Sequence, residues 1–323
     1  MKHEALYYRF VEEITRKIPQ KTAIVNTLAE ILNIDKEVIS NKLQSEIPFT
    51  FDEAMKISRQ LGISLDNLEI STSSILKPSK FRQIEYINPA ESDFALLKEM
   101  TKILKSFKKF PDPEAGEITN ILPQPLYLTY EYISRFYLFN WKYQSNRQNK
   151  PTPYKDIIIS DKLKKAQNEY VKWAKILHAE YIFDRLLFHY LVTEIKYFYY
   201  IGLITNEDIL LIKQDLLKIL EEIDTLSCTG FFKETGKSVN IYVSDVNIST
   251  NYIYVATPDY QLTIIKAFII NGIASTDKQT FEELKSWMKS VKQQSTLITR
   301  CGDKDRIDFI EKQQRIIESL SQL

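Results

Sequence analysis

Lys36, Glu37, Ser40, Asn41 and Gln44 fall on one side of a short helical pattern, opposite the apolar pair Ile39 and Leu43. Such a set can read base edges: Asn and Gln pair bidentately with adenine, and Lys donates to guanine. Lys21, Thr22 and Asn26 stand near the start of the preceding helical pattern. Side chains and free backbone N–H groups at a helix start hold phosphates. A row of Ser, Asn and Gln is a poor protein interface, whose centre favours aromatics and Met.

Other groups offer weaker chemistry. His178 and His189 read as sharing a helix face near Asp184 and Arg185. A ligand site is one reading, polar residues on a helix flank the plainer one, and no Cys or carboxylate cluster has zinc-like spacing. Asp245, Asn247, Thr250 and Asn251 form either a polar site at a sheet end or a turn. Cys301-Gly302-Asp303 sets a thiol before a helix, where its pKa falls, but no His is near in sequence. Walker, G-x-G-x-x-G, G-x-S-x-G, H-E-x-x-H and EF-hand patterns do not occur, so no enzyme, metal or cofactor is expected.

The elements that must position the polar row are legible. A helix over 22–32 ends at Asn33, which tolerates the left-handed conformation. Ala29 is the small contact between two steeply crossing helices, and Leu28, Leu32 and Ile34 face a core. Asp35 caps the next helix, about 36–44. Thr50-Phe-Asp-Glu53 is a capping box, and Gly62 closes the helix it opens. Before these, 4–18 is an amphipathic helix through Leu6, Phe10, Val11, Ile14 and Ile18, stopped by Pro19.

LAEILNI (28–34), ISNKL (39–43) and FDEAMKISRQLGISLDNL (51–68) together resemble the lambda-repressor-like family, the Cro or XRE type of helix-turn-helix domain. The resemblance covers about fifty residues. It implies double-stranded DNA as partner, a homodimer on paired half-sites, and base reading by Lys36, Glu37, Ser40, Asn41 and Gln44. Lys21, Thr22 and Asn26 would then position phosphates. The chain departs from the family in three places. Asn33 replaces the usual turn Gly, Lys42 stands where a small apolar residue is common, and SEIPFT (45–50) lacks a basic phosphate grip. Acids slightly outnumber bases over 1–70, so a weak electrostatic hold is expected, which the basic linker residues Lys77, Lys80 and Arg82 can offset.

The remainder names no ligand. A linker over 71–91 precedes a helical region over 92–228, with PDPEAGE (111–117) as a loop and a helix over 126–144. Residues 160–201 contain neither Gly nor Pro and read as one or two helices. Thr205-Asn-Glu-Asp208 caps a helix to about 225. The aromatics of 127–143 suit an effector pocket, a dimer face or an ordinary helical core. The consecutive Tyr197-Phe198-Tyr199-Tyr200 point all round a helix, which favours burial between layers. From 238 the period becomes two: SVNIYVSDV, NYIYVAT, QLTIIKAFI and IINGIA read as an antiparallel meander. Thr276-Asp-Lys-Gln279 reads as another capping box, TLITR (296–300) as a short strand, and 303 onward as the last helix.

The expected fold class is α+β and mainly helical. It has a helix-turn-helix over 1–70, a helical block, and a small antiparallel sheet with flanking helices over 229–323, which joins the block in one domain or stands apart. The net charge of +1 gives the whole chain no bias toward polyanions, and its seven glycines argue against glycine-rich phosphate loops. Two cysteines make no disulfide framework. With neither a signal peptide nor a membrane-length apolar run, the cytoplasm is expected. The function this adds up to is a DNA-binding transcriptional regulator whose C-terminal region senses a small-molecule or peptide effector, dimerises, or both. A protein-interaction scaffold and an enzyme domain fused to a DNA-binding module are the alternatives.

Overall fold

A computed structural model describes residues 2–18, 21–44, 47–63, 65, 82–84, 89–145, 151–266, 272–301 and 303–322. The chain divides into two units, 1–79 and 80–323. The linker residues Lys77 and Lys80, and half of the LGISLDNL ending, lie outside the described residues.

The first unit holds helices α1 (Lys2–Lys17), α2 (Lys21–Leu32), α3 (Lys36–Leu43) and α4 (Phe51–Leu61). Their apolar stripes close one core around Phe10, Ile14, Leu28, Ile39 and Ile57. Leu6, expected inside, is exposed, and its neighbour Tyr7 stacks on Phe49 instead, ring centroids 6.0 Å apart. Asn33 adopts φ 55°, which lets the Ile34 N–H reach the Ala29 carbonyl at 3.3 Å. Asp35 occupies the N-cap of α3 without a side-chain cap bond. Thr50 and Glu53 form the full capping box, and Gly62 closes α4 at φ 64°.

The second unit is α+β. The small antiparallel sheet expected there is in fact eight-stranded and mixed, in the order β1-β7-β6-β5-β2-β3-β4-β8. Its strands are β1 (Arg82–Ile84), β2 (Glu114–Thr119), β3 (His178–Asp184), β4 (Val239–Ser244), β5 (Asn251–Thr257), β6 (Tyr260–Lys266), β7 (Gly272–Ser275) and β8 (Ser295–Leu297). β2, β3 and β4 run parallel, and β5 joins β2 antiparallel. The helices are α5 (Pro89–Ser106), α6 (Gln124–Tyr127), α7 (Glu131–Ser145), α8 (Asp161–Ala174), α9 (Leu187–Tyr200), α10 (Asn206–Thr229), α11 (Lys278–Gln293) and α12 (Asp303–Glu318).

Two strands replace elements expected to be otherwise. PDPEAGE supplies most of β2, a central strand, and HAEYIFD (178–184) is β3, inside the Gly- and Pro-free stretch read as helix. Side chains do the punctuation there. Asp184 accepts from the Leu186 N–H at 2.7 Å and from the Ile248 N–H at 2.7 Å, which turns the chain at the end of β3. His178 and His189 therefore share no face: one lies on β3, the other on α9. The helix over 126–144 is broken between α6 and α7. The second capping box shifts by one, since Asp277 caps α11 and accepts from the Thr280 N–H at 2.8 Å. Thr205 and Asp208 form theirs as expected.

Alternation along the strands gives the sheet two covered faces. Ala179, Tyr181, Val239 and Ile241 face a large core with α7, α9 and α10. Ile118, Ile182, Tyr254 and Ala256 face Phe281 and Met288 of α11. The aromatics of 127–143 are mostly core: Phe136, Phe139, Phe198 and Tyr154 are buried edge to face. The four consecutive aromatics of α9 are not all enclosed. Phe198 is buried and Tyr199 half-buried, while Tyr197 and Tyr200 are exposed.

Candidate functional site

In the first unit, α3 buries Ile39 completely and turns a polar flank outward. Lys36, Glu37 and Gln44 are exposed, and Ser40 and Asn41 are half-buried. Val38, not among the outward residues named from the sequence, is exposed on the same short helix. On α2, Asn26 is exposed; Lys21 and Thr22 open that helix, and their side chains lie outside the described residues.

Lys42, the odd residue in the sequence pattern, has a defined role. Its stem is buried, and its ammonium donates to Glu53 at 2.9 Å and to the Pro48 carbonyl at 3.1 Å. The Lys42 carbonyl accepts from the Tyr7 hydroxyl at 2.6 Å. One lysine thus ties α3 to the loop before α4 and to α1. Burial pushes the Glu53 carboxyl up, but the Thr50 N–H and the Lys42 ammonium outweigh it and hold it below its ordinary value. Breaking a fully buried pair costs several kcal/mol; Glu53 keeps some water contact, 21% of its side chain being exposed, so the cost is smaller. Lys42→Met is expected to destabilise by about 2 kcal/mol, read by urea denaturation of the full chain. An unchanged midpoint would show that the ammonium ties nothing.

The second unit presents a cleft of about 890 Å³ between Phe107, Phe110, Trp173 and Tyr130, edged by Lys108, Lys172, Lys175 and Lys237. Its inner charges already satisfy one another. Lys175 donates to Glu222 at 3.2 Å and Glu234 at 3.0 Å, and the Tyr130 hydroxyl donates to Glu222 at 2.9 Å. Burial alone would lower the Lys175 ammonium, but these carboxylates hold it above its ordinary value. Lys237 donates to the Pro111 carbonyl at 2.8 Å and lies 3.2 Å from His178 Nε2.

A second, smaller cavity of about 80 Å³ lies between α5, α8 and the sheet. Glu117 and Lys266 reach into it from β2 and β6, their side chains 7% and 7% exposed, with Nζ 3.6 Å from Oε1. Glu117 went unnoticed because its stretch read as a loop. Lys266 carried a signal: in period two it follows Leu262 and Ile264 on a core-facing row. Burial pushes the Glu117 carboxyl up, against the pull of Lys266.

The remaining candidates are structural. Asn251 Oδ1 accepts from the Asn120 N–H at 2.9 Å, and Arg185 pairs with Asp245 at 3.2 Å, so that polar group holds loops at the ends of β2 and β3. His178 shares a 2.7 Å hydrogen bond with Ser238, and His189 is exposed beside Tyr190. Cys228 is exposed and Cys301 is half-buried, its thiol on the Leu297 carbonyl. Among the described residues no three His, Cys, Asp or Glu are grouped to hold a metal ion, and no helix is long and apolar enough to cross a membrane. Comparison with known protein families, with curated proteins and with solved structures finds no match for this chain.

Proposed function

We propose that the protein is a DNA-binding transcriptional regulator. Its first unit serves as a lambda-repressor-like helix-turn-helix domain, and its second unit as the effector-sensing part. One observation carries this reading: α3 is a short helix held rigidly by Ile39 and the Lys42–Glu53 pair, and it leaves Lys36, Glu37, Ser40, Asn41 and Gln44 accessible on one flank. A helix so mounted fits a major groove, where Asn and Gln pair with adenine. Asn26, with Lys21 and Thr22 at the start of α2, stands where phosphate contacts form in this docking mode.

The test is selection from random duplex DNA by the full-length protein, followed by titration of a selected fragment at two salt concentrations. Enrichment of one motif is expected, with affinity falling steeply as salt rises; a pair of half-sites would show that a homodimer binds. Asn41→Ala with Gln44→Ala is expected to leave the fold intact and to cost about 1–3 kcal/mol per lost base contact. An unchanged motif in that double variant would remove α3 from the readout, and no enrichment at any salt would overturn the regulator reading.

A further inference from the structure

Glu117 is a charged residue in the middle of a central strand, facing apolar helices, and its Oε1 is buried with no hydrogen-bond partner. Buried polar atoms are almost always bonded, so an orphan needs an explanation. Lys266 answers its charge, Nζ standing 3.6 Å from Oε1 as an ion pair, but leaves the oxygen short of a close hydrogen bond. The two charges form a loose ion pair in the wall of the same small space. That space is about 80 Å³, against ~10–15 Å³ for one water. It has room for roughly six positions of water size, the size of alanine or serine. Leu96, Ile253 and Ile264 make part of its wall apolar, and the Tyr170 and Tyr181 rings line it too.

We propose that this cavity is a binding site for a small zwitterionic α-amino acid. Its ammonium donates to the orphaned Glu117 oxygen, and its carboxylate accepts from Lys266. The chemistry selects both charges at once. Glu117 and Lys266 together are neutral, so a ligand with one charge would leave a net charge buried in an apolar wall, which is costly. An α-amino acid carries its two charged groups on one carbon, matched to protein charges a few ångström apart. The carboxylates of the large cleft lack this unmet demand, because Glu222 and Glu234 both pair with Lys175.

The proposal names the effector of the second unit and to that extent rests on the regulator reading, but its test needs no DNA. L-alanine and L-serine are titrated calorimetrically into the full-length protein at neutral pH, with propionate and ethylamine as single-charge probes. Saturable one-to-one binding of at least one amino acid is expected, with both single-charge probes at least tenfold weaker. Glu117→Gln and Lys266→Met should each weaken binding at least tenfold. Ala115→Leu, which plugs the cavity with both charges in place, should abolish it, so the site stays testable if a charge variant fails to fold. No saturable binding of either amino acid overturns the proposal, as does propionate or ethylamine binding equally well, or full binding by the Ala115→Leu protein. A protein that binds alanine but selects no DNA would sink the regulator reading alone.

Discussion

Gly116→Ala is expected to destabilise the second unit by about 3 kcal/mol, at the upper end of overpacking costs. Gly116 sits in the middle of β2 opposite Tyr254 of β5, and the tyrosine ring lies over the bare α-carbon. A Cβ there would stand 2.2 Å from Tyr254 Cε1 and 2.7 Å from Cζ. The ring has nowhere to retreat. It meets Phe281 edge to face at 5.7 Å, and the Lys285 ammonium lies 5.2 Å from its centroid. In a unit of this size such a loss lowers Tm by roughly 6–12 °C. The check is a double-mutant cycle on the full chain: Tyr254→Leu removes the obstacle, so Gly116→Ala should cost much less in that background. An equal cost in both backgrounds would place the strain elsewhere.

The second large effect depends on pH. Asp93 of α5 is 4% exposed, and burial pushes its carboxyl up to about 7, whereas an unfolded Asp titrates near ~3.9. Between those values the unfolded chain has released the proton and the native chain has kept it. The native state then binds more protons, so stability falls as pH rises through this window. Below about pH 4 both states are protonated and the penalty vanishes; above about pH 7 it is fully present, at roughly 4 kcal/mol. Asp93→Asn should therefore match the wild type below about pH 4 and exceed it increasingly from there towards pH 8. Urea denaturation of both proteins across that range reads the difference, which cancels the other carboxylates. A difference that does not change with pH would mean that Asp93 is ionised in the native state.

What could be read in advance was mostly local. Asn33, Thr50 with Glu53, Gly62, and Thr205 with Asp208 carry their geometry in their own side chains or their tolerance of positive φ, so the helix ends they set were legible. The core of the first unit followed from a 3.6 period. The mixed sheet was not legible, because its central strands lack the usual marks. β2 holds Gly116 and Glu117 where a hydrophobic run would stand, and its glycine makes sense only beside a tyrosine from β5. β3 is bounded by Asp184 hydrogen bonds instead of Gly or Pro. The outward residues of α3 followed from its period, Val38 excepted. The Glu117–Lys266 pair meets only through strand order, which no single stretch encodes.

The neighbour of β2 on one side is β3, but on the other it is β5, in the register Glu114 to Ala256. During synthesis the middle of the sheet therefore waits, with one flank unpaired, until most of the chain has emerged. Loop closure over such a separation is slow, and an open strand flank is prone to wrong pairing in the meantime. A chain cut just before β5 would keep every helix from α5 to α10 and still leave Glu117 uncovered on a raw margin. Such a fragment is expected to aggregate and not to fold as a smaller domain, because its unpaired strand flank is a template for wrong pairing.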